Sequence, residues 1–170
     1  SDDAWAFLYS RSSNGGLTDV AIKGNAEPNR EQSGVQIQNG AAAYVGGQNE
    51  GKASIEGVAT GIRMASESMA NIYGSLVINA QEQGISTFNG GTFFLTLSEG
   101  GKVAVAEGGV AAISLNDGGE GFITSSTVSL PDSSSISAAT ILAPSLAKSR
   151  QAVRPCPVAA PVINATLSFN

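Results

Sequence analysis

The sequence predicts an all-β protein, an antiparallel sandwich or jelly-roll-like domain with an extended terminal strand. Three observations lead there. Gly-Gly pairs begin at Gly90, Gly100, Gly108 and Gly118, and the runs between them have strand length. Their Gly, Asn and Asp neighbours supply the positive φ that tight turns need. Near the other end of the chain, Ile163, Ala165, Leu167 and Phe169 alternate with Asn164, Thr166, Ser168 and Asn170, a period of two with one apolar face. A short β-solenoid is the alternative, because small residues and glycine turns suit a narrow interior. A solenoid should repeat at about 20 residues, and the segments do not align at such a period. The aromatic residues Phe88, Phe93 and Phe94 cluster instead of recurring. The sandwich is therefore the expectation.

The elements follow in chain order. Ser1-Asp2-Asp3 is a polar start that reads as a mature terminus left after removal of a secretory signal. Ala4 to Tyr9 is a continuous apolar run, which suits a strand buried on both faces. Leu17 to Ile22 and Gly34 to Gln38 alternate as strands, and Ala41 to Val45 and Ser54 to Thr60 are candidate strands. Asn25 to Gln32 is polar, holds Pro28 and reads as a loop. Ile62 to Tyr73 is divided between strand and one or two helical turns: Met64, Ala65, Glu67, Met69 and Ala70 favour helix, whereas Ser66, Ser68 and Asn71 do not. Strands follow over Thr92 to Leu97, Lys102 to Ala106, Val110 to Leu115, Gly121 to Thr124 and Thr127 to Leu130. Pro144 to Val153 is a second helix candidate, with Pro at its start and Lys148 and Arg150 towards its C-terminal end. Pro155 to Pro161 holds three prolines in seven residues, which makes a stiff extended connector. The organisation is thus one β-rich domain over 1–154, then a connector and amphipathic strand over 155–170.

Composition narrows the function. The 170 residues carry 9 Lys+Arg against 14 Asp+Glu and no His, for a formal net charge of -5. An acidic, charge-poor chain lacks the basic footprint of a nucleic-acid binder. No apolar stretch is long enough to span a membrane as a helix. Without His the commonest general base and metal ligand is missing. A single Cys allows neither a zinc cluster nor an internal disulfide.

Several motifs resemble sites and lack the rest of the machinery. Gly46 to Lys52 approximates a phosphate-binding loop, but Ala53 follows where Ser or Thr should hold magnesium, and no helix follows. Ser145 and Lys148 have the Ser-x-x-Lys spacing of penicillin-recognising enzymes, and Ser12-Ser13-Asn14 could mimic their second element, without the Lys-Thr-Gly strand that would complete the set. Asn116 to Glu120 is an acidic glycine turn with too few carboxylates for a dedicated calcium site. Glu99 and Glu107 stand near opposite ends of Lys102 to Ala106, farther apart than paired glycosidase carboxyls. Asn164-Ala165-Thr166 is a formal glycosylation sequon. Cys156 reads as a packed apolar residue, with a link to another subunit as the alternative. No catalytic, cofactor-binding or metal residue is assigned, and no enzyme is expected.

The functional expectation is a secreted, non-enzymatic structural protein, the subunit of an extracellular or surface filament with an adhesive or biofilm role. Its partners are copies of itself, joined by β-strand complementation. Ile163, Ala165, Leu167, Phe169, Trp5 and Phe7 are the expected subunit contacts. The layout resembles strand-complemented pilins in general plan only, with no motif shared. The alternatives are a carbohydrate-binding or adhesin module and a virion structural protein. A glycan site would need aromatics on one face, and Trp5, Tyr9, Tyr44 and Tyr73 are scattered along the sequence.

Overall fold

A computed structural model describes residues 4–25, 32–123 and 141–142. They form a parallel β-solenoid of about four turns, which corrects the expected antiparallel sandwich. Each turn contributes one strand to each of three sheets. The first turn holds β1 (Ala4–Tyr9), β2 (Asn14–Thr18) and β3 (Ala21–Lys23). The second holds β4 (Gln32–Ile37), β5 (Ala42–Gly47) and β6 (Ser54–Glu56). The third holds β7 (Thr60–Met64), β8 (Met69–Gly74) and β9 (Val77–Ala80), and the fourth β10 (Gln83–Thr87), β11 (Thr92–Leu97) and β12 (Lys102–Val105). A further turn begins with β13 (Ala111–Leu115) and β14 (Glu120–Ile123), and β15 (Ile141–Leu142) pairs with β14. The first sheet runs β1-β4-β7-β10-β13, the second β15-β14-β11-β8-β5-β2 and the third β12-β9-β6-β3.

Register shows why a fixed period was not found. Ser33 pairs with Thr60, Thr60 with Gln83 and Gln83 with Ala111. Turn length therefore changes from one coil to the next, with the excess taken up at the corners. The Gly-Gly pairs mark those corners. They are not hairpin turns, because they link strands of different sheets. Three successive intervals, Gly90 to Gly100 to Gly108 to Gly118, carry the chain once round the coil.

The corner between the first and second sheets is a stacked turn. Two consecutive residues have positive φ in every coil: Arg11-Ser12, Asn39-Gly40, Ser66-Glu67, Asn89-Gly90 and Asp117-Gly118. The second residue donates its N–H to the first residue's carbonyl in the next coil: Ser12 to Asn39 at 3.0 Å, Gly40 to Ser66 at 3.0 Å, Glu67 to Asn89 at 3.0 Å and Gly90 to Asp117 at 3.1 Å. Asn-Gly and Asp-Gly are the residues this double left-handed geometry favours. Ser66-Glu67 adopts it because the neighbouring coils dictate it. That is also why the helix considered over Ile62 to Tyr73 is instead β7, this corner and β8: packing overrides the local propensity of Met64, Ala65 and Glu67.

The core lies inside the coil as ladders of like residues. Val35, Ile62, Ile85 and Ile113 form one, Leu17, Val45, Ile72, Leu95 and Ile123 a second, and Ile22, Ile55, Ile78 and Val103 a third; all are buried. Each ladder takes one residue from each coil, so burial is shared along the whole length and stabilises every coil through its neighbours.

Other elements differ in detail from the sequence reading. Leu17 to Ile22 is two strands with a corner at Asp19-Val20, and Ser54 to Thr60 is likewise divided, into β6 (Ser54–Glu56) and the first residue of β7, with a corner between them. β1 is not buried on both faces. Trp5, Phe7 and Leu8 are exposed, because β1 ends its sheet with β4 as its partner among the described residues. Thr127 to Leu130, the helix candidate at Pro144 to Val153, Cys156, the connector Pro155 to Pro161 and the strand bearing Ile163, Ala165, Leu167 and Phe169 lie outside the described residues. So do Ser1 to Asp3 and most of the Asn25 to Gln32 segment.

Candidate interaction surfaces

Two surfaces of the solenoid combine exposure with apolar side chains. The first is its β1 edge. Trp5 pairs with Ser33 and Phe7 with Val35, so Phe7 occupies the interior ladder that Val35 and Ile62 continue. Phe7 is nonetheless 36% exposed, Leu8 40% and Trp5 43%, because no described coil stands above them. Beside them opens a cavity of about 320 Å³ lined by Trp5, Ala6, Ile22, Lys23, Gly24 and Val58, among others. Ile22 and Val58 are themselves buried core residues, so the cavity is the open mouth of the core.

The second surface is the outer face of the second sheet. One outward column runs Gly16, Tyr44, Asn71, Phe94 and Phe122 across β2, β5, β8, β11 and β14. The rings of Phe94 and Phe122 stack, with centroids 5.0 Å apart and planes 13° from parallel. Tyr44 is 55% exposed. The next column runs Thr18, Gly46, Tyr73 and Thr96. A side chain at Gly46 would collide with the Tyr73 ring; the glycine leaves room for that ring to lie across β5, and the Tyr73 and Thr18 hydroxyls meet at 2.8 Å. The outermost column is Asn14, Ala42, Met69, Thr92 and Glu120. In these three columns Glu120 is the one ionisable side chain besides tyrosine.

This second surface went unread in the sequence. Tyr44 and Tyr73, which looked scattered, share one face, and Phe94 and Phe122 join them. Of the other two aromatics named there, Tyr9 packs against the core and Trp5 lies on the β1 edge. The signal was present: Gly34 to Val45, Gly61 to Ile72, Gly84 to Leu95 and Ala112 to Ile123 align residue for residue, and the alignment puts Tyr44, Asn71, Phe94 and Phe122 at one position.

The phosphate-loop resemblance has a structural explanation. Asp19 Oδ1 accepts the backbone N–H of Gln48 at 2.8 Å and of Asn49 at 3.0 Å, while its Oδ2 accepts from Asn49 Nδ2. The loop amides that would meet a phosphate already meet a carboxylate of the preceding coil. These hydrogen bonds, from Asn49 first and then Gln48, hold Asp19 below the ordinary aspartate value, with Lys52 adding a smaller attraction. Glu99 and Glu107 lie in the corners before and after β12. Asp117 lies in the corner leading to β14, and Glu120 is the first residue of that strand. Among the described residues no three His, Cys, Asp or Glu side chains are grouped to hold a metal ion, and no helix is long and apolar enough to cross a membrane. Ser145, Lys148, Cys156 and Asn164 lie outside the described residues. Comparison with protein-family models, curated proteins and solved structures gave no match.

Proposed function

We propose that the protein is a non-enzymatic structural protein of a cell surface or extracellular filament, whose copies join at the β1 edge. The observation that carries this reading is the exposure of Trp5, Phe7 and Leu8 on a strand with one hydrogen-bonded neighbour among the described residues. Such an edge presents a row of backbone donors and acceptors to any strand that can match its pattern. The segment with Ile163, Ala165, Leu167 and Phe169 has a matching pattern in the sequence. Donated by another copy, it would extend the first sheet and close the mouth of the core. A head-to-tail contact of this kind does not close on itself unless its rotation happens to, so copies add into a filament.

The test is negative-stain electron microscopy with light scattering on the full chain, on Leu8→Lys and on a chain lacking 162–170. Leu8 pairs with Gln36, and a lysine there charges the edge without changing the interior ladder. Filaments are expected for the full chain, and species of about the 17.1 kDa monomer for both variants, with unchanged circular dichroism for Leu8→Lys. A full chain that stays monomeric at every concentration overturns the reading. Filaments that survive loss of 162–170 overturn the donated strand.

A further inference from the structure

We infer that the outer face of the second sheet is a binding platform for a neutral, ribbon-like polysaccharide. The first ground is the kind of side chain that the coil stacks there. Tyr44, Phe94 and Phe122 stand in one column; Phe122 stacks on one face of the Phe94 ring, which leaves the Phe94 face towards Asn71 and the exposed Tyr44 ring for a ligand. A pyranose ring carries an apolar C–H face and a rim of hydroxyls. An exposed aromatic ring buries the first of these, and polar side chains beside it satisfy the second. Asn71, Thr92, Thr96, Asn14 and the Tyr44 hydroxyl supply those polar partners from the same and flanking columns.

The second ground is charge. An anionic polymer needs lysine or arginine opposite it, and a cationic one needs several carboxylates. The three outward columns hold neither; Glu120 at the margin is their only carboxylate. The matching ligand is uncharged and rich in hydroxyls.

The third ground is spacing. Adjacent strands stand about 4.8 Å apart, close to the advance of one sugar along an extended β-1,4-linked chain. A ribbon laid along the solenoid axis therefore meets successive strands with successive sugars. Tyr44 and Phe94, two strands apart, are offset by about two such steps, and Asn71 stands between them to meet a hydroxyl. Tyr73 lies across Gly46 and is held there by the Thr18 hydroxyl, which keeps its ring low in the neighbouring column. The cavity at the β1 mouth and a second one, of about 200 Å³ and lined by Thr60, Arg63, Gln83 and Phe88 among others, lie on other faces. An extended flat ligand fits this face, and it is a surface separate from the β1 edge.

The experiment is co-sedimentation of the full chain with microcrystalline cellulose and with chitin. Tyr44→Ala, Phe94→Ala and the double variant are compared with Lys102→Ala on the third sheet. Light scattering is recorded for each. Wild type and Lys102→Ala should sediment with at least one of the two polysaccharides. Each aromatic variant should lose about three- to tenfold in apparent affinity, and the double variant more, with circular dichroism unchanged. Failure of wild type to sediment with either polysaccharide overturns the inference, as does equal binding by the aromatic variants. A change in particle mass with unchanged sedimentation also overturns it, because the face would then be a contact between copies. The Leu8→Lys variant should keep polysaccharide binding, so this test and the filament test fail independently.

Discussion

Asp19 illustrates how a single residue joins two coils here. Its carboxylate gathers the amides of Gln48 and Asn49 in the following coil, and its affinity for a proton is lowered as a result. A carboxyl whose value falls on folding stabilises the native state above its unfolded value and stops doing so as pH falls through the native one. Wild type should therefore be more stable than Asp19→Asn at pH 6, and the gap should close below the ordinary value of 3.8; urea melts at both pH values measure it. The left-handed pair Ser66-Glu67 carries the opposite lesson. Glu67 is exposed and has φ of 56°, a conformation that costs a side-chain-bearing residue about 1–2 kcal/mol. Glu67→Gly should raise stability by about 1 kcal/mol after the glycine's greater unfolded-state entropy is deducted, read as a higher urea midpoint at unchanged slope. Neither effect was legible in the sequence. Asp19 sits 29 residues from Gln48, and Ser66-Glu67 bears none of the chemistry that marks the same corner at Asn39-Gly40.

At the scale of the strand, close approach decides which residues each coil can use. Gly34, Gly61 and Gly84 stand at equivalent points of β4, β7 and β10, and Ala112 takes that place in β13. A Cβ at Gly61 would lie 2.5 Å from the Gly84 carbonyl and from Ile78 Cγ2, and one at Gly84 would lie 2.5 Å from the Ala112 carbonyl and from Val103 Cγ1. The interior ladder of the third sheet fills the space that a side chain would need. Ala112 stands in β13, the last described strand of its sheet. Gly84→Ala should therefore destabilise by about 1–3 kcal/mol without changing the slope of a urea melt. The sequence did disclose most of the strands: Thr92 to Leu97 coincides with β11, and Lys102 to Ala106 overlaps β12. It did not disclose how they pair. Alternation and turn residues report that a chain runs extended and then bends, and a bend into a hairpin uses the same glycines as a bend round a corner. The twelve-residue alignment beginning at Gly34, Gly61, Gly84 and Ala112 was the feature that separates the two.

For the whole molecule, the uneven turn length is the reason the coil went unrecognised, and also the reason the face aromatics did. At any single period the corners displace equivalent residues, so Tyr44 and Phe94 do not fall into line. Once the corners absorb the difference, every side of the coil is in register. The β1 edge, by contrast, was not legible: the run Ala4 to Tyr9 reads as a strand buried on both faces, whereas Trp5, Phe7 and Leu8 are exposed on it. Its proposed partner segment and the aromatic platform place two surfaces on one rod, one at an end and one along a side. The corner geometry has a consequence for how such a chain can grow. Because surplus residues are parked outside the ladders, a duplicated coil of unequal length can be spliced in without disturbing those on either side. Each such duplication would lengthen the rod by one strand spacing, about 4.8 Å, and add one rung to every face at a fixed cross-section. The molecule is in effect graduated, and its reach is set by counting coils.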